Sequence, residues 1–579
     1  MNYAAKLFLV GAGLSIACTA GATGKYSMSP IEKFNRCYNR LVRKPLPVSG
    51  NSIGYKLSQQ VVTKKISATE ACMQLLEHAA LDSSGVLKNR NDSEARDIFE
   101  TLHNFHNSFF MGPALSYNSG YDNMTALMKD IDEPSLYFTQ SLFANLPVSN
   151  VLTSATTLKS VRESNFTSPS TNFETRSISP THHAQVAAKF PGNPRLLSVT
   201  ERNTTNQASI AAEIKPLYEE IFKEEIAAAQ ASGIPAEITA ANNLVNNQVN
   251  AYKIVKTMVL NDNEFVGQGR ILGVTAQTDL TIPVSGSSYN NVPFDLTGFE
   301  SFKLHQHWGG GILGTQMYYI KNTNLGQYVA MGGNTNDKYV SVPRRFTSRI
   351  YQDLLCHTLP TLTEADVRNE VDVSSRHGFK TSASCMRCHA SFDDLAGVYR
   401  NVMVVRSAVN RPTSQPQDIP YRELGSPVQA AMQFKIDASK VDANATLMDR
   451  VKNTFALQAP VGRLMYRDHT GALKKTDGIS SVSQLGSVIA QSDDFYRCVA
   501  KRYYHYFTGI DVNLTTPDKD LDAAAKYHKT FVYNLGRILK GDNPKNNTEK
   551  AYKQNMKALV RQILDSPTFN SRDFAITGE

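Results

Sequence analysis

Cys385-Met386-Arg387-Cys388-His389 sets two thiols three residues apart, with an imidazole immediately after the second. Cys-x-x-Cys-His is the covalent attachment signature of a c-type haem. Cys385 and Cys388 are expected to form thioethers to the haem vinyl groups, and His389 to ligate the iron as the proximal axial residue. The chain carries this motif once, so one covalent haem c is expected. Two other readings of the cysteine pair are a structural zinc site, completed from His377, His389 or Cys356, and a redox disulfide. An exported location and the adjacent His389 argue against both, and no thioredoxin-like βαβ pattern surrounds the pair.

The export reading comes from the N-terminus. Lys6 precedes an uncharged apolar run from Leu7 to Ala17, too short to span a bilayer and of the length of a signal-peptide core. The run ends in Leu14-Ser15-Ile16-Ala17-Cys18, which reads as a lipoprotein box, with cleavage before Cys18 and a lipid on its thiol. The alternative is ordinary cleavage after Ala20 or Ala22. Either route delivers the chain to the cell envelope, as a periplasmic protein or an outer-membrane lipoprotein.

The remaining composition is that of a globular protein, with 41% hydrophobic and 20% charged residues among 579. A net charge of +9 spread over 61 basic and 52 acidic residues does not suggest a nucleic-acid reader. Besides Cys18, Cys385 and Cys388, four cysteines remain: Cys37, Cys72, Cys356 and Cys498. In an oxidising compartment an even set tends to pair, and three connectivities are open. The expected pairs are Cys37–Cys72, stapling two N-terminal helices, and Cys356–Cys498, tying the haem region to the C-terminal helices. Four buried, unpaired thiols are the other reading.

Apolar residues recur at helical intervals in Ile31–Leu41 and Ala68–Leu81, with Pro45, Pro47 and Gly50 breaking the chain between. Helical pattern continues in Ala95–Phe110, Pro134–Leu152 and Ala208–Ser232, then to about Thr257. It returns in Val482–Phe507, Leu521–Leu539 and Ala551–Leu564. Thr153 to Asn206 is rich in Ser, Thr and Asn and reads as an irregular or extended insert, and Arg270–Val284 as short β-like runs. Gly309-Gly310-Gly311 marks a tight backbone passage. The fold class is mainly α: a multidomain helical scaffold with small irregular and β portions and a c-type haem-binding segment. The expected divisions are a signal peptide (1–22), an N-terminal helical domain (30–152), an insert with a helical hairpin (153–300), the haem-binding region (301–405), a connecting region (406–481) and a C-terminal helical domain (482–579).

Several patches carry a resemblance by their order. They are Gly310-Gly311-Ile312-Leu313-Gly314-Thr315, Arg344-Arg345-Phe346, Leu354-Leu355-Cys356-His357-Thr358-Leu359-Pro360, Arg376-His377 and the Cys385–His389 motif. Gln484 to Cys498, Tyr506-Phe507-Thr508-Gly509 and Leu559 to Phe569 follow. Together they resemble the large planctomycete-type cytochrome c proteins, whose C-terminal halves string together domains of unknown function. The family's Asp-Pro-x-Gly element stands here as Asp393-Asp394-Leu395-Ala396-Gly397, without the proline. This chain is similar to a member lacking the additional N-terminal haem domain. The resemblance implies a cytochrome, with a histidine at the position of His377.

His377 is thus one candidate for the sixth iron ligand. Met403, Met432 and Met465 are the methionine alternatives, and an open or water-ligated iron is the third. His305-Gln306-His307-Trp308-Gly309 is a second cluster, read either as a haem-edge contact, a second metal site or a substrate pocket or, in the favoured reading, as a packed strand end or loop in which Trp308 is core and the histidines meet solvent. His182-His183 is a weaker one. Tyr503-Tyr504-His505-Tyr506-Phe507 reads as an aromatic helix face. The function expected is electron transfer with a redox partner protein, with membrane attachment through Cys18. The rivals are a haem-dependent oxidase or peroxidase-like enzyme, with His305 or His307 near an open haem face, and a structural envelope lipoprotein.

Overall fold

Ser29 and Glu32 close a reciprocal cap at the first helix. The Glu32 N–H donates to Ser29 Oγ (3.4 Å) and the Ser29 N–H to Glu32 Oε2 (2.7 Å), which satisfies donors a helix start otherwise leaves open. Within Pro30–Val42, Phe34, Cys37, Tyr38 and Leu41 recur at i, i+3, i+4 and i+7, and all are buried. A computed structural model of the chain describes residues 27–110, 129–164, 172–174, 215–216, 218–252, 257–259, 266–279, 281–283, 294–295, 301–322, 328–331, 344–375, 378–400, 402–408, 427–433, 435–436 and 458–572.

The chain is mainly helical. Three N-terminal helices, Pro30–Val42, Ile53–Val62 and Ala68–His78, are followed by Ser93–Asn107 and Glu133–Phe143. The helix Ile53–Val62 lies just past the expected chain break, started by Ser52, whose hydroxyl accepts from the Tyr55 N–H. Strands form small sheets of two or three. Leu158–Ser164, inside the expected irregular insert, pairs antiparallel with Gln268–Ala276. The last predicted helix is two, Asn547–Ala551 and Met556–Leu564, parted at Gln554, whose φ is +60°.

One apolar cluster contains Phe34, Leu76, Phe99, Leu136, Phe346, Leu395, Phe495, Leu535 and Ile563. Segments 30–152, 301–405 and 482–579 therefore contribute to a shared core, each fully buried Leu or Phe adding about 2 kcal/mol. The first and last described helical segments meet there. Arg561 pairs with Glu70 (2.9 Å), Thr69 Oγ1 donates to Asp565 (2.6 Å), and Arg36 donates to Phe569 O (2.9 Å).

Disulfides join Cys37 to Cys72 and Cys356 to Cys498, with Cα atoms 6.2 and 5.3 Å apart. These bridges fit an oxidising, extracytoplasmic compartment. Among the described residues no helix is long and apolar enough to cross a membrane. Cys18 lies outside the described residues.

Gly309, Gly310 and Gly311 all have positive φ, +77°, +78° and +57°. A Cβ on Gly311 would stand 2.0 Å from Val151 O, and one on Gly310 2.5 Å from Val482 O. Only glycine allows this passage between the Asn150–Thr153 turn and the helix Val482–Gln491.

Candidate functional site

The motif lies in the first turns of the helix Ala383–Ala396. Cys385, Cys388 and His389 stand at i, i+3 and i+4, and helical geometry puts such positions on one face. Met386 and Ala390, each one residue and about 100° further round the helix, are buried with Leu362, Val367 and Met465 in a small apolar cluster. The helix is tied down from several sides. Tyr351 Oη donates to Ser391 O and Met465 O (3.3 Å each), Thr347 Oγ1 to Phe392 O (2.9 Å) and Arg387 Nε to Leu362 O (3.0 Å). Arg463 bridges Glu370 (2.7 Å) and Asp394.

On the motif face, Cys385 is exposed and Cys388 half-buried, and neither is bonded to another cysteine. Burial pushes the Cys388 thiol above its ordinary value. His389 Nδ1 lies 2.9 Å from Asp393 Oδ2. A carboxylate accepts and does not donate, so Nδ1 carries the proton of this contact. Arg344 forks onto the same carboxylate, Nε to Oδ1 at 2.6 Å and Nη2 to Oδ2 at 2.9 Å. Phe379 stacks on the imidazole with ring centres 4.2 Å apart and planes 22° from parallel, and the Arg344 guanidinium lies 5.0 Å from the Phe379 ring centre. The imidazole is thus held in plane, with Nε2 available.

Two unpaired thiols and an oriented imidazole on one helical face fit the donor set of a c-type haem. Cys356 is bonded to Cys498 and so offers no thiolate to a zinc site with Cys385 and Cys388. Of the sixth-ligand candidates, His377 lies outside the described residues. Met403 and Met432 are backbone partners across an antiparallel pair, Val402–Ala408 with Pro427–Gln433; their side chains lie outside the description. Met465 is buried with Met386 and Ala390, not on the thiol face.

The His305–Gly309 cluster differs from expectation. Its histidines are largely withdrawn from solvent: His305 is buried and His307 half-buried. Burial and the nearby Lys129 and Lys159 charges hold His305 well below the usual imidazole range. Burial brings His307 down to about 4; its Nδ1 accepts from the Gly309 N–H (2.8 Å), and its Nε2 lies 3.1 Å from Tyr137 Oη. Trp308 packs edge-on to Tyr319 at the border of the main core. His305 lines a small polar cavity with Lys129, Glu133 and Gln316, in which Lys129 Nζ donates to Leu304 O at 2.7 Å. His182-His183 lies outside the described residues. In the helix Asp493–Thr508, Tyr503, Tyr504, Tyr506 and Phe507 are buried, the aromatic face the pattern predicts.

A group of buried residues escaped sequence reasoning. His357 Nε2 lies 2.8 Å from Asp494 Oδ2, and His469 Nδ1 3.2 Å from Asp494 Oδ1, all three residues being buried. One signal was available. His357 follows Cys356, and Asp494 precedes Cys498 by one helical turn, so a Cys356–Cys498 bridge already draws the two together. Nothing comparable singles out His469. In comparison with known proteins, no family model, no curated protein and no solved structure matches the chain.

Proposed function

We propose that the chain is an exported mono-haem c-type cytochrome, anchored through a lipid on Cys18, that transfers electrons to a redox partner protein at the cell envelope. The observation that carries this reading is the single helical face bearing Cys385, Cys388 and the Nε2 of His389, with both thiols unpaired in a chain whose other described cysteines form disulfides. When bound, haem supplies a one-electron iron couple.

The chain's own residues set the conditions for that couple. Cys385 and Cys388 hold the group covalently, which makes retention independent of non-covalent affinity. His389 presents Nε2 because Asp393 holds the proton at Nδ1. The Asp393 carboxylate orients the imidazole through Nδ1, and Arg344 shares the carboxylate's charge. Phe379 shields one face of the imidazole from water.

The test is a reduced-minus-oxidised absorption spectrum, with pyridine haemochrome, of the chain exported alongside cytochrome c maturation machinery. A covalent c-type α band, lost in Cys385→Ala with Cys388→Ala, is the expected result. A near-infrared charge-transfer band in the oxidised form would assign methionine as the sixth ligand and not His377. Absence of covalent haem would overturn the reading. A stable CO complex with substrate turnover would move it to an oxidase or peroxidase-like enzyme.

A further inference from the structure

Two chain reversals and one helix start carry His357, His469 and Asp494 into one buried spot. Cys356 ends the helix Arg344–Leu355 in a left-handed turn, φ +53°, and the His357 N–H folds back onto Tyr351 O at 2.9 Å. His469 sits in the turn between the strands Gly462–Arg467 and Leu473–Ile479. There Asp468 Oδ1 accepts from the Thr470 and Ala472 N–H groups (2.9 and 3.0 Å), and Gly471 takes φ +84°. Asp494 lies in the first turn of Asp493–Thr508, where the helix N-terminus favours a carboxylate.

We propose that His357, His469 and Asp494 form a binding site for a divalent transition ion of the zinc class, held by two imidazole nitrogens and one carboxylate oxygen. The donor atoms all lie within 4.8 Å of one another. Donors around tetrahedral zinc stand roughly 3.3 Å apart, and the two donor separations to Asp494 are 2.8 and 3.2 Å. The two contacts fall on different oxygens of the carboxylate, so an ion held by one of them requires the imidazoles to close around that oxygen from within the 4.8 Å that bounds the donors.

The second observation is the imidazole of His469. The residue is 2% exposed; its Nε2 has no hydrogen-bond partner, and its Nδ1 meets only Asp494 Oδ1, at 3.2 Å and out of line. A buried polar ring left this way carries a desolvation cost that a metal bond at one nitrogen removes. Outer contacts of the kind that orient metal ligands are in place. Arg497 Nη1 donates to Asp494 Oδ1 (3.1 Å), the His469 N–H to Asp494 Oδ2 (3.1 Å), and Tyr533 Oη to His469 O (2.9 Å). The Cys356–Cys498 bridge braces the same two segments, next to His357 and one turn on from Asp494.

The test uses the full chain carrying Cys385→Ser and Cys388→Ser, which removes the thiol pair as a competing site. Because the group is buried, zinc is supplied during export and folding, and retained metal is counted after exhaustive dialysis. One zinc per chain is expected, and His357→Gln or His469→Gln lowers retention at least about tenfold. Should either variant fail to fold, Co²⁺ loaded into the parent chain reads the donors directly. A tetrahedral d–d spectrum without a thiolate charge-transfer band supports the site. No retained zinc in the folded parent, or retention undiminished in folded His469→Gln, overturns it.

Discussion

His389 and Asp393 stand one turn apart on the same helix, with the imidazole Nδ1 2.9 Å from a carboxylate that Arg344 also grips. In the proposed cytochrome, the acid pulls the Nδ1 proton and makes Nε2 the stronger donor to iron, which stabilises the ferric state. Asp393→Asn is expected to raise the haem midpoint potential, on the order of tens of millivolts. Arg344→Ala frees the full carboxylate charge and should lower it. Potentiometric titration checks both, and shifts of the same sign in the two variants would refute the coupling.

The Cys356–Cys498 bridge closes a loop of 142 residues. The chain-entropy account assigns a loop of this size about 4–5 kcal/mol. Cys356→Ser with Cys498→Ser should lower the urea midpoint strongly, and reductant should then have little further effect through this bridge. A double variant as stable as the parent would show that packing alone holds these segments.

Gly311 takes φ +57°, and an added Cβ meets the backbone of Val151, which no side-chain rotation can clear. Gly311→Ala is therefore expected to cost at least about 2 kcal/mol. By contrast Gly378, where an added Cβ meets nothing, should accept alanine with little change. Paired denaturation curves test the contrast.

Hydrogen bonds from Arg467, at 2.8 and 2.7 Å, hold Asp366 down at about 2, against an ordinary value of 3.8. The folded value is below the unfolded one, so the stabilisation is fully present above about pH 4 and is lost as pH falls toward 2. Arg467 is partly exposed, and solvent screening leaves about 1 kcal/mol. Asp366→Asn should lower stability at neutral pH by that amount and converge on the parent near pH 2. A difference independent of pH would rule out the ion pair as its source.

Much of the local structure was legible. The apolar stripe through Leu41, the three-glycine passage and the aromatic face from Tyr503 to Phe507 all follow from spacing within a few residues. The two disulfides match the expected pairs, although spacing left three connectivities open. The insert strand Leu158–Ser164 was not legible, because its pairing partner Gln268–Ala276 lies about a hundred residues downstream. The burial of His305 was missed for a similar reason: polar neighbours suggested solvent, and the cover comes from distant Lys129 and Glu133.

By itself the sequence determined the Cys385–Cys388–His389 spacing and the helical periods of stretches such as Ile31–Leu41, since both depend only on covalent neighbours and the pitch of one helix. The tertiary structure alone decided that Arg344 reaches Asp393, and that His357 and His469 converge on Asp494, the former across 137 residues of chain. Such meetings depend on many apolar faces being buried at once, and no single stretch of sequence contains that condition.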